Sequence, residues 1–403
     1  MRTIGVGGSD AATELAKIQD MTLGIQPIQK EEYQERIAKA AELIKENDFD
    51  AVYVHAGTSM TYFTGTPWHP SERMVGVLLF ADGSLEYIAP EFEKGTLLGF
   101  MTIEGPVNTW EEHESPYELV GAALANQGLS SGKVGLDEQT PFFMAEHLRT
   151  ANPSFEFSSA KSVVTGCRSI KSKNEIAIIK RLMEITLEVH AATARIMRPG
   201  INAAEVEEFI EAAHIKAGVP SGNYFCIVLF GPDSAFPHGV KTPQDLVEDD
   251  VVLVDTGCQL HGYISDLTRT YVYGEISERH REIWNIELNA MLAAFDTAKI
   301  GLPCGDLDVA ARNYIAAQGL GPEYQLPGLP HRTGHGIGMD IHESPNLVRN
   351  DRTPLKAGMC FSNEPMICVP NEFGIRLEDH LYMTADGPEW FTQPSKSVDD
   401  PFG

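Results

Sequence analysis

The sequence predicts a two-domain protein of the α/β (α+β) class. At 403 residues the chain is longer than one ordinary hydrophobic core supports. Up to about residue 160, helical and strand patterns alternate, which is typical of an α/β domain. From Arg168 the pattern changes to long amphipathic helices, and the last part of the chain is rich in strands and turns. We therefore predict one domain over residues 1–160 and a second over residues 161–403.

Hydrophobic periodicity and turn residues predict the elements of each domain. An Asp-Gly pair between two apolar runs predicts a hairpin over residues 74–90. The other predictions in the first domain are an arm over 1–27, a helix over 30–47, a strand over 50–57, an aromatic loop over 58–68, helices over 116–127 and 141–150, and a strand over 133–137. In the second domain they are helices over 168–201, 202–217, 278–300 and 301–320, and strands over 223–230 and 250–254.

Composition and charge argue against several classes of protein. A formal net charge of -26 repels a phosphate backbone, so we expect no nucleic-acid partner. No apolar run reaches the length of a membrane-spanning helix, and the N-terminus lacks the apolar core of a signal peptide, so we expect a cytoplasmic protein. The six cysteines stand apart in apolar surroundings and form no C-x-x-C pair, which predicts free buried thiols.

The run VVLVDTGCQLHGYISDLTRT, residues 251–270, carries the first sign of chemistry. Asp255 ends an apolar strand, and Asp266 follows a turn-rich segment. A hairpin here would place both carboxylates side by side at the end of a buried sheet, where like charges repel unless a cation lies between them. Two acids beside a hairpin are by themselves usually solvated loop chemistry, so a metal site requires further ligands.

Three later segments supply candidate ligands. PHRTGHGIGMDIHESP, residues 330–345, places His335 between glycines that permit close backbone approach, and His342 follows. MCFSNEPMICVP contains Glu364 in an otherwise apolar run. FGIRLEDHLYM places Arg376 and Glu378 on one face of a predicted strand. A lone acid in a buried strand must be paired, protonated or bound to metal.

The candidate ligands together predict a dinuclear metal centre. Four carboxylates carry about four negative charges, which two divalent cations would neutralise. Oxygen-rich ligation with one imidazole favours Mn, Co, Zn or Fe(II). Two such ions can share a water, lower its pKa and make it a nucleophile at neutral pH. The set is Asp255, Asp266, His335, Glu364 and Glu378.

These motifs, in this order, resemble those of the pita-bread metallopeptidases, which include methionine aminopeptidase, aminopeptidase P and prolidase. The motifs are D-x-G, S-D-x-T-R-T, G-H-G-I-G with H-E-x-P, N-E-P and R-x-E-D. The resemblance covers residues 168–403 as a pita-bread catalytic domain and residues 20–160 as a creatinase-like N-terminal domain.

The resemblance implies a role for each motif residue. His238, in AFPHG, and His342 are similar to the family's substrate-facing histidines. Glu364 would act as general base and proton shuttle in addition to binding metal, and Arg376 would hold the bridging glutamate in place or line the substrate site. The implied metal roles are Asp255 on one ion, His335 and Glu364 on the other, and Asp266 and Glu378 as bridges.

Among the members of this family, the sequence favours an Xaa-Pro dipeptidase (prolidase) that attacks with a metal-bridging hydroxide, with Mn as the favoured ion. Methionine aminopeptidases generally lack an N-terminal domain, and creatinase does not keep the metal ligands. Xaa-Pro aminopeptidase activity on longer peptides is the main alternative. Dimethylsulfoniopropionate lyase chemistry and organophosphate hydrolysis on the same scaffold are lesser ones. The family also implies a homodimer that acts on a small peptide.

A dipeptidase must also bind the free carboxylate of its substrate, typically with an arginine. In some prolidases that arginine closely follows the H-E-x-P motif, where this chain has Asn346. Arg349, Arg352 and Arg332 are the other candidates, and the sequence leaves the choice among them open.

Overall fold

The chain divides into two compact units. The structure is a computed structural model that describes residues 2–403. The N-terminal unit is Ile28–Arg168, and the C-terminal unit comprises Ser169–Gly403 together with the residues up to Pro27. This division lies eight residues beyond the predicted boundary at 160, because the helix Lys161–Arg168 packs against the helix Lys30–Glu46.

The predicted N-terminal arm is an ordered part of the C-terminal unit. Helix α1 (Ala11–Lys17) carries Glu14, which is fully buried and accepts a 2.7 Å hydrogen bond from Nε of Arg195. The backbone N–H of Gly7 donates to the carbonyl of Ala194 at 2.8 Å. These long-range contacts are not visible in sequence periodicity, and they explain why the segment groups with residues that lie far along the chain.

The N-terminal unit is a six-stranded mixed sheet with helices, as the alternating pattern predicts. Its strand order is β4-β3-β2-β1-β5-β6. The helices are α2 (Lys30–Glu46), α3 (Thr58–Thr64), α4 (Lys94–Phe100), α5 (Pro116–Asn126), α6 (Phe142–Ala151) and α7 (Lys161–Arg168). The strands are β1 (Ala51–His55), β2 (Gly76–Phe80), β3 (Leu85–Pro90), β4 (Val107–Trp110), β5 (Gly132–Leu136) and β6 (Phe155–Ser159).

Two local predictions in this unit have different outcomes. The Asp-Gly hairpin is confirmed, because β2 and β3 pair in antiparallel register around Gly83, whose φ is 89°. The predicted aromatic loop over residues 58–68 is wrong in its first half, which forms α3. Gly65 ends that helix in the left-handed conformation and donates its N–H to the carbonyl of Thr61.

The C-terminal unit combines long helices with three small sheets. The sheets have the orders β10-β8-β7 with β9 on β8, β12-β11-β13-β16-β17, and β14-β15. The helices beyond α1 are α8 (Lys173–Arg195), α9 (Ala203–Lys216), α10 (Glu278–Thr297) and α11 (Gly305–Ala317). The strands are β7 (Asn223–Phe230), β8 (Val251–Leu260), β9 (Tyr263–Ile264), β10 (Leu267–Val272), β11 (Gly334–Gly336), β12 (Glu343–Leu347), β13 (Cys360–Asn363), β14 (Met366–Val369), β15 (Phe373–Arg376), β16 (Asp379–Thr384) and β17 (Gly387–Trp390).

The amphipathic pattern predicts a helix over 168–201, but the observed helix is shorter at both ends. It is α8, which starts after a capping box in which the Ser172 hydroxyl accepts from the Glu175 N–H and the Glu175 carboxylate accepts from the Ser172 N–H. Helices α10 and α11 pack together over a core that includes Trp284, Leu307 and Phe361.

Both units combine helices with sheets, so the predicted α/β (α+β) class is confirmed. Over residues 2–403, no helix is long and apolar enough to cross a membrane.

His214, on α9, makes the C-terminal unit sensitive to acid. Its ring is fully buried, Nδ1–H donates to the carbonyl of Ile210 at 3.1 Å, and burial lowers the pKa of His214 to about 4. As pH falls below 6.5, the unfolded chain takes up a proton that the folded protein excludes until about pH 4. The free energy of unfolding should therefore fall over this interval, by about 3 kcal/mol from this group.

The measurement is a urea titration at pH 7 and at pH 4.5 on the wild type and on His214→Gln. We expect the variant, which carries no titrating ring at this position, to lose less stability between the two pH values. His113→Gln, at an exposed position, is the matched control and should behave as the wild type does. An equal decline in His214→Gln and the wild type would contradict this account.

Candidate metal centre

Asp255 and Asp266 lie at the same end of a β hairpin. Asp255 is in β8, and its cross-strand partner in β10 is Thr268, two residues after Asp266. The turn between the strands bends at His261 and Gly262, which both have positive φ. The two aspartates are 8% and 4% exposed, and the negative charge of Asp255 adds to burial in raising the pKa of Asp266. The hairpin thus brings together the two acids that the sequence analysis singled out.

His335, in β11, directs one ring nitrogen at this pair of acids. Its Nδ1–H donates to the carbonyl of Gly336 at 2.9 Å, because a carbonyl oxygen can only accept. Nε2 then lies 3.6 Å from Oδ2 of Asp266 and 3.2 Å from Oε1 of Glu364. A Cβ at Gly334 would lie 2.1 Å from a carbonyl oxygen of β13, so the close approach of these strands requires glycine.

The two glutamates reach the cluster from separate connections between strands. Glu364 follows β13, and its Oε1 accepts from the Ser362 hydroxyl at 3.0 Å. The Ser362 oxygen also accepts the N–H of His335 at 2.9 Å, which ties the strands together. Glu378 pairs with Thr268 in an isolated bridge, and the Thr268 hydroxyl donates to its Oε2 at 2.7 Å.

The resulting cluster has the composition and the electrostatics of a cation site. Donor atoms of Asp266, His335 and Glu378 all lie within 4.8 Å of one another. Over residues 2–403, the buried Oδ1 of Asp255 and Oε1 of Glu378 have no hydrogen-bond partner. Burial, and then the neighbouring carboxylates, raise the pKa of Asp266 and of Glu378 well above the usual range. A divalent cation would satisfy the unpaired oxygens and offset the repulsion, so these residues fit a metal.

Arg376, at the end of β15, supports the cluster from one side. Its Nη2 donates to Oδ2 of Asp255, Nε donates to the Thr268 hydroxyl at 3.0 Å, and Nη1 donates to the carbonyl of Pro237 at 3.3 Å. Because Thr268 in turn donates to Glu378, the arginine orients one acid directly and the other through a hydroxyl. Its role as a substrate ligand stays a prediction.

The two predicted substrate-facing histidines differ in their surroundings. His342 is solvent-exposed, but its ring lies edge-on to His335 at 4.3 Å between centroids, and partial burial lowers the pKa of His342 to about 4. His238 is exposed and follows Pro237, whose carbonyl accepts from Arg376. One imidazole is therefore neutral at physiological pH, and the other lies on a surface loop beside the buried arginine.

The structure adds residues that sequence reasoning missed. Thr268, which lies within the S-D-L-T-R-T motif, links Arg376 to Glu378. His331 donates its Nδ1–H to the carbonyl of Arg332 at 2.7 Å, which leaves a buried Nε2 with no partner over residues 2–403. His380 is fully buried, and its ring is 6.2 Å from that of His335. The sequence signal for His331 is its place four residues before the glycine-flanked His335.

Comparisons with known proteins match both units. Residues 177–385 match the model of metallopeptidase family M24, and residues 36–170 match that of the creatinase/prolidase N-terminal domain. The chain belongs to metallopeptidase family M24. The resemblance that the motifs indicated is thus confirmed, as is the pairing of a creatinase-like N-terminal domain with an M24 domain, and the protein is a metallopeptidase and hydrolase.

Relatives of this M24 protein match over most of its length. The putative dipeptidase YkvY of Bacillus subtilis is 33% identical over 90% of this chain and 99% of its own. The dipeptidase PepE of Mycobacterium ulcerans has a TM-score of 0.85 and 29% identity, covering 93% of this chain and all of its own. An Xaa-Pro dipeptidase of Bacillus anthracis has a TM-score of 0.78 and 28% identity, covering 91% and 99%. Manganese and the homodimer stay predictions.

Proposed function

We propose that this M24 protein is an Xaa-Pro dipeptidase, or prolidase, that depends on two divalent metal ions. The observation that carries the proposal is the buried cluster in which Nε2 of His335 lies within 3.6 Å of Asp266 and Glu364, Glu378 lies beside them, and Asp255 and Glu378 keep unpaired oxygens. The names of the similar proteins, a putative dipeptidase, a dipeptidase and an Xaa-Pro dipeptidase, support the choice of a dipeptide substrate.

The metal ions would be held by the five residues of the cluster, with Mn as the favoured ion because oxygen ligands dominate. When bound, the two ions would supply an activated water as nucleophile and polarise the carbonyl of the scissile bond. The roles proposed are Asp255 on one ion, His335 and Glu364 on the other, and Asp266 and Glu378 as shared ligands.

Glu364 is suited to move the proton. Its side chain is 13% exposed, compared with 6% for Asp266. Burial alone would raise the pKa of Glu364, but the hydrogen bond and charge of His335 lower it below the usual range. Glu364 is therefore an ionised carboxylate at neutral pH. It would accept a proton from the attacking water and return it to the proline nitrogen as the C–N bond breaks.

The histidines and the substrate's own chemistry complete the proposal. The bond before proline lacks an N–H, so recognition must use the carbonyl and the two ends of the dipeptide. His342 is neutral at pH 7 and would donate a hydrogen bond to the scissile carbonyl without adding charge. His238, on its exposed loop, would contact the substrate from the side of Pro237 and Arg376.

A substrate panel tests the proposed function. Protein depleted of metal with a chelator should be inactive on Ala-Pro, and Mn should restore hydrolysis. With Mn bound, we expect kcat/KM for Ala-Pro to exceed that for Ala-Pro-Ala and for Ala-Ala by at least about tenfold. A site that hydrogen-bonds a polar group of its substrate discriminates strongly against a peptide that leaves that interaction unmade.

The panel also decides among the alternatives. If Ala-Pro-Ala is hydrolysed as fast as Ala-Pro, the protein is an Xaa-Pro aminopeptidase and not a dipeptidase. Equal hydrolysis of Ala-Ala would show a dipeptidase without proline selectivity. Turnover of dimethylsulfoniopropionate, or of an organophosphate ester in preference to Ala-Pro, would move the assignment to those chemistries. Absence of turnover on every compound after Mn loading, with metal content verified by elemental analysis, would refute a hydrolytic role.

A further inference from the structure

Arg332 is a partly buried arginine of the C-terminal unit that has no acidic partner among residues 2–403. Among the described residues of that unit, every arginine except Arg332 and Arg352 forms an ion pair with a carboxylate. Arg349, another of the sequence candidates, pairs with Glu323, and Arg352 is exposed to solvent. Arg332 is partly buried, whereas Arg352 is not.

A neutral amide holds Arg332 in place. Its Nη1 donates to Oδ1 of Asn346 at 2.9 Å. Asn346 is itself fixed, because its backbone N–H donates to Oδ2 of Asp351 at 2.9 Å. An amide oxygen orients the guanidinium without neutralising it, and the remaining N–H groups of Arg332 make no hydrogen bond to any residue of 2–403. The Arg332 guanidinium is therefore held in one orientation and has N–H groups free to bind a ligand.

This charge lies beside the metal centre. Arg332 precedes His335 by three residues, and Asn346 is the cross-strand partner of His335 between β11 and β12. The guanidinium acts on His342, where its charge adds to burial and to His335 in lowering the pKa of that ring. Two divalent ions would balance the four carboxylates, and Arg376 already pairs with Asp255. Arg332 then remains as a cation with no anion of its own.

We infer that Arg332, oriented by Asn346, binds the free carboxylate of the substrate and so restricts the enzyme to peptides that end at the residue after the scissile bond. The inference rests on the proposed function. A guanidinium can pair with a carboxylate through two parallel N–H donors, which fixes the position as well as the charge of the substrate's end. An aspartate at position 346 would form an ion pair with Arg332. The neutral asparagine does not, so the positive charge of Arg332 is left to pair with the substrate's carboxylate.

The test compares Ala-Pro with Ala-Pro amide, which lacks only the negative charge. The Mn-loaded wild type should prefer Ala-Pro. In Arg332→Gln, kcat/KM for Ala-Pro should fall about 10- to 100-fold, mainly through KM, while kcat/KM for the amide stays within about twofold. Arg332→Lys keeps the positive charge but lacks the two parallel N–H donors of a guanidinium, so it should recover part of the lost kcat/KM for Ala-Pro. Arg352→Gln removes an exposed, unpaired arginine and should match the wild type.

Asn346→Asp is the sharper variant, because it leaves Arg332 in place and supplies the acid that the wild type lacks. It should lose the preference for Ala-Pro as Arg332→Gln does. Equal losses on both substrates in Arg332→Gln would show a structural role and overturn the inference, as would an unchanged preference in both variants.

A binding measurement separates this inference from the proposed function. Calorimetric titration of the metal-free wild type should show tighter binding of Ala-Pro than of its amide, and Arg332→Gln should abolish the difference. If that difference is found but the Mn-loaded wild type hydrolyses neither compound, the carboxylate site stands and the proposed function fails. If the metal-free wild type shows no preference for Ala-Pro, the inference is wrong even when Ala-Pro is hydrolysed.

Discussion

Replacing His335 with alanine should lower kcat/KM for Ala-Pro at least about a thousandfold with Mn in excess, which corresponds to about 4 kcal/mol of lost transition-state stabilisation. His335 is the one imidazole in the cluster, and its Nε2 lies within 3.6 Å of carboxylate oxygens of Asp266 and Glu364. Its removal would leave Asp266 and Glu364 facing each other with one ligand fewer to hold a cation. Asp255→Ala should have a similar effect on turnover.

Metal content distinguishes a lost ligand from a lost fold. Elemental analysis after dialysis should show less than the wild-type stoichiometry in His335→Ala, while far-ultraviolet circular dichroism stays unchanged. The histidine control is His113→Ala, an exposed position in the N-terminal unit, which should keep full activity and full metal content. Wild-type turnover by His335→Ala or Asp255→Ala would contradict the dinuclear proposal.

The members of the cluster could be found from sequence because each breaks a local rule. Glu364 and Glu378 interrupt apolar strand patterns, and a buried acid without a partner is costly enough that a strand keeps it only for a reason. The glycines beside His335 have a physical basis as well, since a Cβ at Gly334 or Gly336 would collide with neighbouring backbone. Such signals survive in a single sequence because they concern residue type and near neighbours.

What the sequence could not predict depends on contacts between distant strands. Thr268 is an ordinary strand residue until the register of β10 sets it between Arg376 and Glu378. Arg332 and Asn346 are fourteen positions apart, and only the pairing of β11 with β12 brings them into hydrogen-bonding contact. The sequence could name Arg332 as one of three candidates, but which arginines lack an acidic partner is a property of the folded unit.

The compact units begin and end at residues other than the predicted domain boundary for a related reason. Periodicity shows that a helix has an apolar face, but it does not say what that face packs against. The helix Lys161–Arg168 was assigned with the catalytic domain, yet its buried Val163 and Val164 belong to the unit of α2. Residues 1–27 were expected to be an arm because their glycines suggest a loose chain, whereas the buried Glu14 anchors them through Arg195.

Replacing Arg376 with methionine should lower the free energy of unfolding of the metal-free protein by about 3–5 kcal/mol at pH 7. The guanidinium is 3% exposed and is the cation nearest to Asp255. Burial raises the pKa of Asp255, and the charge of Arg376 is the main effect that opposes this rise. Methionine fills a similar space but leaves a buried carboxylate among other acids.

The deficit should depend on pH in a defined direction. Without Arg376, the pKa of Asp255 rises further, so the folded variant holds a proton that the unfolded chain releases above pH 3.8. The folded wild type also holds this proton above pH 3.8, because its own Asp255 pKa is raised, so both proteins lose stability at first. The variant should lose more than the wild type as pH rises from the folded wild-type pKa to the higher folded-state pKa of the variant. At low pH, where Asp255 is protonated, the difference between the two proteins should shrink to the hydrogen bonds lost at Thr268 and Pro237.

A double-mutant cycle separates the charge from the hydrogen bonds. Asp255→Asn combined with Arg376→Met removes the uncompensated carboxylate and should recover most of the stability lost at pH 7, whereas Arg376→Lys should lose less than Arg376→Met. If the double variant recovers nothing, the arginine stabilises the unit through Thr268 and Pro237 alone. Addition of Mn should narrow the gap between Arg376→Met and the wild type, since bound cations supply the positive charge that the arginine otherwise provides.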